Sequence, residues 1–73
     1  MTEKTEPKKT ETIKIVIVED FKLTRVGLRC ALNSNEDMNV VAESEDAIEG
    51  LKLIERQKPD VVLMDLEIGR AHV

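Results

Sequence analysis

Aromatic side chains are almost missing: Phe21 is the only one, with no tryptophan or tyrosine. Any core must therefore be aliphatic. There is one cysteine, Cys30, so no internal disulfide can form. Its place among Leu28, Ala31 and Leu32 predicts a small core residue, with a reactive thiol as the alternative. No run of about 18 apolar residues occurs, and no signal-peptide-like apolar segment. The chain is read on that basis as cytoplasmic. An excess of basic charge is missing too, with 11 Lys and Arg against 15 Asp and Glu and a net charge of -4. Binding phosphate backbones needs clustered cations, so this stretch is not expected to bind nucleic acid by itself. At 73 residues it can form at most one small domain.

What is present is strongly patterned. Residues 1–12, MTEKTEPKKTET, mix lysines with glutamates and hold no large apolar residue after Met1, which predicts a disordered N-terminal arm. IKIVIV follows at Ile13, β-branched at five of six positions and suited to a strand covered on both faces. In FKLTRVGLRCALNSN, Leu23, Val26, Gly27, Cys30 and Ala31 recur at helical steps. They predict one inward stripe, widened by Leu28 and Leu32, and Asn33-Ser34-Asn35 supplies the stop. MNVVAE, residues 38–43, reads as a second strand. Asp46 followed by Glu49 resembles a capping box, opening a helix through Ala47, Ile48, Leu51 and Ile54. Lys58-Pro59 closes it, because a residue before proline is pushed out of helical conformation. Val61 to Met64 form a third strand. The order β-α-β-α-β implies a parallel α/β sheet with right-handed crossovers.

Carboxylates stand at two of the three strand ends: Glu19-Asp20 after the first and Asp65 after the third. Carboxyl ends of parallel strands gather at one edge of a sheet, where ligands bind. If strands one and three are neighbours, these acids converge. Crowded carboxylates repel one another unless a cation sits between them. Oxygen ligands alone suit a hard ion such as Mg²⁺, which keeps several waters. The plainer account is that each acid marks the point where a strand reaches solvent.

IVIVEDFKLTRVGL, followed by VVAESEDAIEGLKLIERQKPDVVLMDL, resembles the first half of a receiver domain of the bacterial response regulators. The acidic pair, the R-x-G-L of the first helix, the A-E-S after strand two and the P-D-V-V-L-M-D-L block carry the resemblance in order. It is greatest to the subgroup with a C-terminal LuxR-type helix-turn-helix. The resemblance implies an incomplete flavodoxin-like (CheY-like) fold with strand order 2-1-3 over residues 13–67. By the same likeness, Asp65 matches the phospho-acceptor, Asp20 a direct Mg²⁺ ligand, and Glu19 its neighbour, where many members have Asp. The Mg²⁺ set implied is Glu19, Asp20, Asp65 and the backbone carbonyl of Glu67. The phosphoryl donor implied is a phosphohistidine on a sensor histidine kinase. DNA would be reached only through a C-terminal domain, and the intact parent could dimerise. Phe21 departs from the pattern, since a polar residue is common there.

After Leu66 the family continues with a Met-Pro-containing loop, whereas this chain reads on to IGRAHV, residues 68–73. That hexapeptide resembles one translated frame of a common short-read sequencing adapter, which predicts a non-native tail, and His72 within it is given no role. Two other classes compete with the signalling reading. A phosphohydrolase of the haloacid-dehalogenase type also uses a strand-end Asp with Mg²⁺. It needs a second Asp two residues on and a Thr two beyond that, where this chain has Glu67 and Gly69. A pseudo-receiver that binds without being phosphorylated has no need of Asp20 and Asp65 together.

Overall fold

The computed structural model describes residues 11–66. Most of the predicted N-terminal arm, together with Glu67 and the 68–73 tail, lies outside the described residues. Strand β1 spans Ile13–Glu19, helix α1 Lys22–Asn33, strand β2 Met38–Ser44, helix α2 Ala47–Gln57 and strand β3 Val61–Asp65. The strands form one parallel sheet in the order β2-β1-β3, as the resemblance implied.

β1 is central, and its sequence shows why. Ile15, Val16, Ile17 and Val18 are all buried, so side chains of both parities are covered. Two right-handed crossovers leaving in opposite directions put α1 and α2 on opposite faces. α2 lies against the face of Val18, where a Cβ added at Gly50 would stand 2.7 Å from Cγ2 of Val18. α1 covers the other face, that of Ile15 and Ile17.

Each strand runs one residue further than the hydrophobic pattern suggested, taking in Glu19, Ser44 and Asp65. β2 carries an irregularity as well. Ile15 pairs with Val40 but Val16 with Ala42, so Val41 is an extra residue in the ladder. Beyond this bulge Glu43 pairs with Ile17 and Ser44 with Val18. The bulge therefore turns Glu43 toward the α1 face and Ser44 toward the α2 face.

The covered stripe of α1 is only partly the one expected. In α1 the half-buried positions are Arg25, Val26, Leu28, Arg29 and Leu32. Leu23, Gly27, Cys30 and Ala31, expected to face inward, are exposed. Cys30 is accordingly no core residue. In α2 the covered stripe is Ala47, Gly50, Leu53, Ile54 and Gln57, while Ile48 and Leu51 face out. An apolar pattern discounts glycine and arginine. Here Gly50 gives the close approach to β1, and the two arginines of α1 share one acid on β2.

The ends of the elements behave more nearly as expected. The Asp46 side chain accepts the Glu49 N–H at 2.8 Å, capping α2. The Asp46 N–H itself donates to the Ser44 hydroxyl at 3.2 Å. Asn33, Ser34 and Asn35 close α1: the Ser34 hydroxyl donates to the Ala31 carbonyl at 2.7 Å, and Asn33 Oδ1 accepts the Val40 N–H at 2.9 Å. α2 does stop at Lys58-Pro59, but Lys58 takes left-handed conformation (φ 48°) and bonds back to the Ile54 carbonyl, rather than turning extended. At the opposite sheet edge, Asp60 joins β3 to β1. Its carboxylate accepts the Lys14 N–H and its own N–H donates to the Lys14 carbonyl, each at 2.8 Å.

Candidate functional site

The acids singled out in the sequence meet at the carboxyl edge of the sheet. Glu19 and Asp65 are register partners at the ends of adjacent parallel strands, and neighbouring strands lie about 4.8 Å apart. Asp20 follows directly in the turn into α1. The environments of the three differ. Asp65 and Asp20 are exposed, whereas Glu19 is 3% exposed, an unusual place for a carboxylate.

Glu19 is held at its main chain and at one carboxylate oxygen. Its Oε2 accepts the Phe21 N–H at 3.0 Å, and its backbone carbonyl accepts from Nη1 of Arg25 at 2.7 Å. Its other oxygen, Oε1, is buried without a hydrogen-bond partner among the described residues. A buried acceptor left unpaired costs about 1–3 kcal/mol, more for a charged group.

These donors fit a hard divalent cation. Among the described residues no three His, Cys, Asp or Glu side chains are grouped so that they could hold a metal ion. Mg²⁺ does not require three, since it takes one or two carboxylates and keeps several waters. Oε1 of Glu19, without a partner among the described residues, is an acceptor of the kind such an ion takes. Glu67, whose carbonyl was expected to contribute, lies outside the described residues.

Three side chains near this edge had been given no role. Glu43, at the end of β2, faces two arginines of α1. Its Oε1 lies 3.3 Å from Nε of Arg25, and its Oε2 accepts from Nη1 of Arg29. The Glu43 carboxylate pushes the Arg29 guanidinium above its ordinary pKa. The signal was present in the sequence as arginines four apart on a helix and a glutamate among the apolar residues of a strand. Their meeting depends on the bulge at Val41.

The profile of the response regulator receiver domain matches residues 15–72. The chain belongs to this family. Among curated relatives, the transcriptional regulatory protein YhcZ of Bacillus subtilis is 45% identical over 56 residues, which is 77% of this chain. The transcriptional regulatory protein LiaR of the same organism is 37% identical over 54 residues, or 74% of this chain. The oxygen regulatory protein NreC of Staphylococcus aureus is 43% identical over 56 residues, again 77%. The chain spans about a quarter, 26%, of the length of each of these relatives. No solved structure matches significantly. The chain is thus receiver sequence of the two-component response regulators, related to transcriptional regulators. Receiver domains are signalling modules that generally bind Mg²⁺ at the site of phosphorylation and interact with sensor histidine kinases. No helix among the described residues is long and apolar enough to cross a membrane.

Proposed function

We propose that this receiver sequence takes a phosphoryl group onto Asp65 from a phosphohistidine of a sensor histidine kinase. The observation that carries the reading is the pairing of exposed Asp65 with buried Glu19, whose Oε1 has no partner among the described residues. In the transfer a carboxylate oxygen of Asp65 forms a bond to phosphorus while the phosphorus–nitrogen bond of the donor breaks. The bonding pair leaves with the imidazole. Exposure of Asp65 at an open edge lets a bulky protein donor approach it. Glu19, Asp20, Asp65 and the Glu67 carbonyl would hold Mg²⁺. When bound, the ion neutralises phosphoryl oxygens that three carboxylates would otherwise repel. Glu19 contributes from a fixed position, because Phe21 and Arg25 hold it from both ends. Phosphorylation would control transcription through a C-terminal DNA-binding domain in the intact parent.

The test is labelling with acetyl phosphate with and without Mg²⁺. Wild-type protein should take up label only with the ion, and Asp65→Asn should abolish uptake. Undiminished labelling of Asp65→Asn would exclude this residue as the acceptor. Binding of Mg²⁺ without any labelling would point to a pseudo-receiver.

A further inference from the structure

The two arginines of α1 look at first like a plain helix-to-strand tether, yet their contacts are unequal. Arg29 donates to Glu43 from a side chain 40% exposed. Arg25 is 14% exposed and does two things at once. Its Nε faces Oε1 of Glu43 at 3.3 Å, while its Nη1 donates to the main-chain carbonyl of Glu19 at 2.7 Å. That carbonyl belongs to the peptide joining Glu19 to Asp20. The plane of this peptide sets the direction in which the chain leaves β1, and with it the place of Asp20. On the other side of Asp20, the Phe21 N–H is tied to Oε2 of Glu19 at 3.0 Å.

We propose that Arg25 is a positioning residue for the acid edge. Clasped by Glu43, it locks the Glu19–Asp20 peptide and so fixes the place of Asp20 beside Oε1 of Glu19 at the edge that would take one cation. A planar guanidinium suits the task, since it presents several donors in a rigid fork and serves a carboxylate and a carbonyl together. Lysine offers a point charge on a flexible stem and cannot hold both in fixed geometry. Glu43 orients the fork, and the bulge at Val41 brings Glu43 to the α1 face. β2, which carries none of the site acids, thereby reaches the site through one side chain. The proposal rests on the reading of the acid edge as a Mg²⁺ site, and its test has one arm that does not.

The experiment compares Arg25→Ala, Arg25→Lys, Glu43→Gln and Arg29→Ala with wild type in the full chain. Mg²⁺ affinity is measured by titration calorimetry, and exchange of the Phe21 amide by hydrogen–deuterium exchange in chelator. Far-UV circular dichroism checks that each variant folds. Residues that orient metal ligands typically cost 10–100-fold in affinity when removed. Arg25→Ala should therefore weaken Mg²⁺ binding by about tenfold, with Arg25→Lys and Glu43→Gln between it and wild type. Arg29→Ala, which breaks the helix tether without touching the Glu19 carbonyl, should stay within about twofold of wild type. The Phe21 amide should exchange faster in Arg25→Ala than in Arg29→Ala. Equal losses in the two alanine variants, in affinity and in exchange, would reduce Arg25 to a tether and overturn the proposal. If wild type binds no Mg²⁺, the metal reading falls. The exchange comparison then decides alone whether Arg25 holds the turn. If Arg25→Ala fails to fold, the same comparison is made with Arg25→Lys.

Discussion

At the scale of single residues, the chain depends on a few positions whose chemistry runs against their surroundings. Glu19 is an acid in the most buried strand, with one oxygen that has no partner among the described residues, an arrangement that costs stability. Gly50 is a glycine in mid-helix, where alanine would ordinarily favour the helix by about 1 kcal/mol. Its reason is packing. An added Cβ would lie 2.7 and 3.0 Å from the two γ-methyls of Val18, itself completely buried in the central strand. Forcing a methylene into such a core costs about 1–3 kcal/mol. Gly50→Ala should therefore destabilise by roughly 1 kcal/mol net, because overpacking exceeds the gain in helix propensity. A urea midpoint higher than wild type would show that α2 can move away from β1 at little cost. Arg25 and Arg29 belong at this scale as well. Their sequence neighbours mark them as surface residues, and Glu43, with the Glu19 carbonyl for Arg25, makes their half-burial tolerable.

At the scale of elements, the two helices differ at their entries. α2 begins with Asp46, whose carboxylate takes the Glu49 N–H. α1 begins at Phe21, which offers no side-chain cap. The backbone of Phe21 is extended, as a capping residue requires, and its ring is 61% exposed, so little packing would be lost on replacing it. Substituting a good cap for a poor one is worth about 1 kcal/mol. Phe21→Asn should raise stability by about that amount, visible as a higher urea midpoint at unchanged slope. Asparagine is the better choice over aspartate, which would add a charge beside Glu19 and Asp20. The strands were the most legible elements. Ile13 to Val18 announces its burial on both faces through β-branched residues of either parity. The helices were placed correctly in length, and the inward stripe of α1 held at Val26, Leu28 and Leu32 but missed Arg25 and Arg29, because apolar periodicity cannot anticipate which polar residues will find partners.

At the scale of the whole molecule, the described residues bury one strand and leave much apolar surface open. Leu23, Ile48 and Leu51 are 77%, 71% and 59% exposed. Val61 and Met64 of β3 are also exposed, and β3 pairs only with β1 among the described residues. An apolar edge strand with one free side is a template for further pairing, and such surfaces are normally covered. The 73-residue polypeptide on its own should therefore associate as concentration rises. Sedimentation velocity over a range of concentrations checks this, and a single monomeric species throughout would contradict it. The aliphatic β-α-β-α-β order, the strands to within one residue, the cap at Asp46 and the acids at the strand ends were all determined by sequence. Each depends on residues close together in the chain: β-branched runs, a polar residue before a helix, charge following a strand. The strand order 2-1-3 was available only through family resemblance. The places of Arg25 and Arg29 in the inward stripe of α1, the bulge at Val41, the clasp of both arginines on Glu43 and the burial of Glu19 were decided by tertiary structure alone. Those features arise where distant segments meet, and one extra residue in β2 decides which face of the sheet Glu43 occupies.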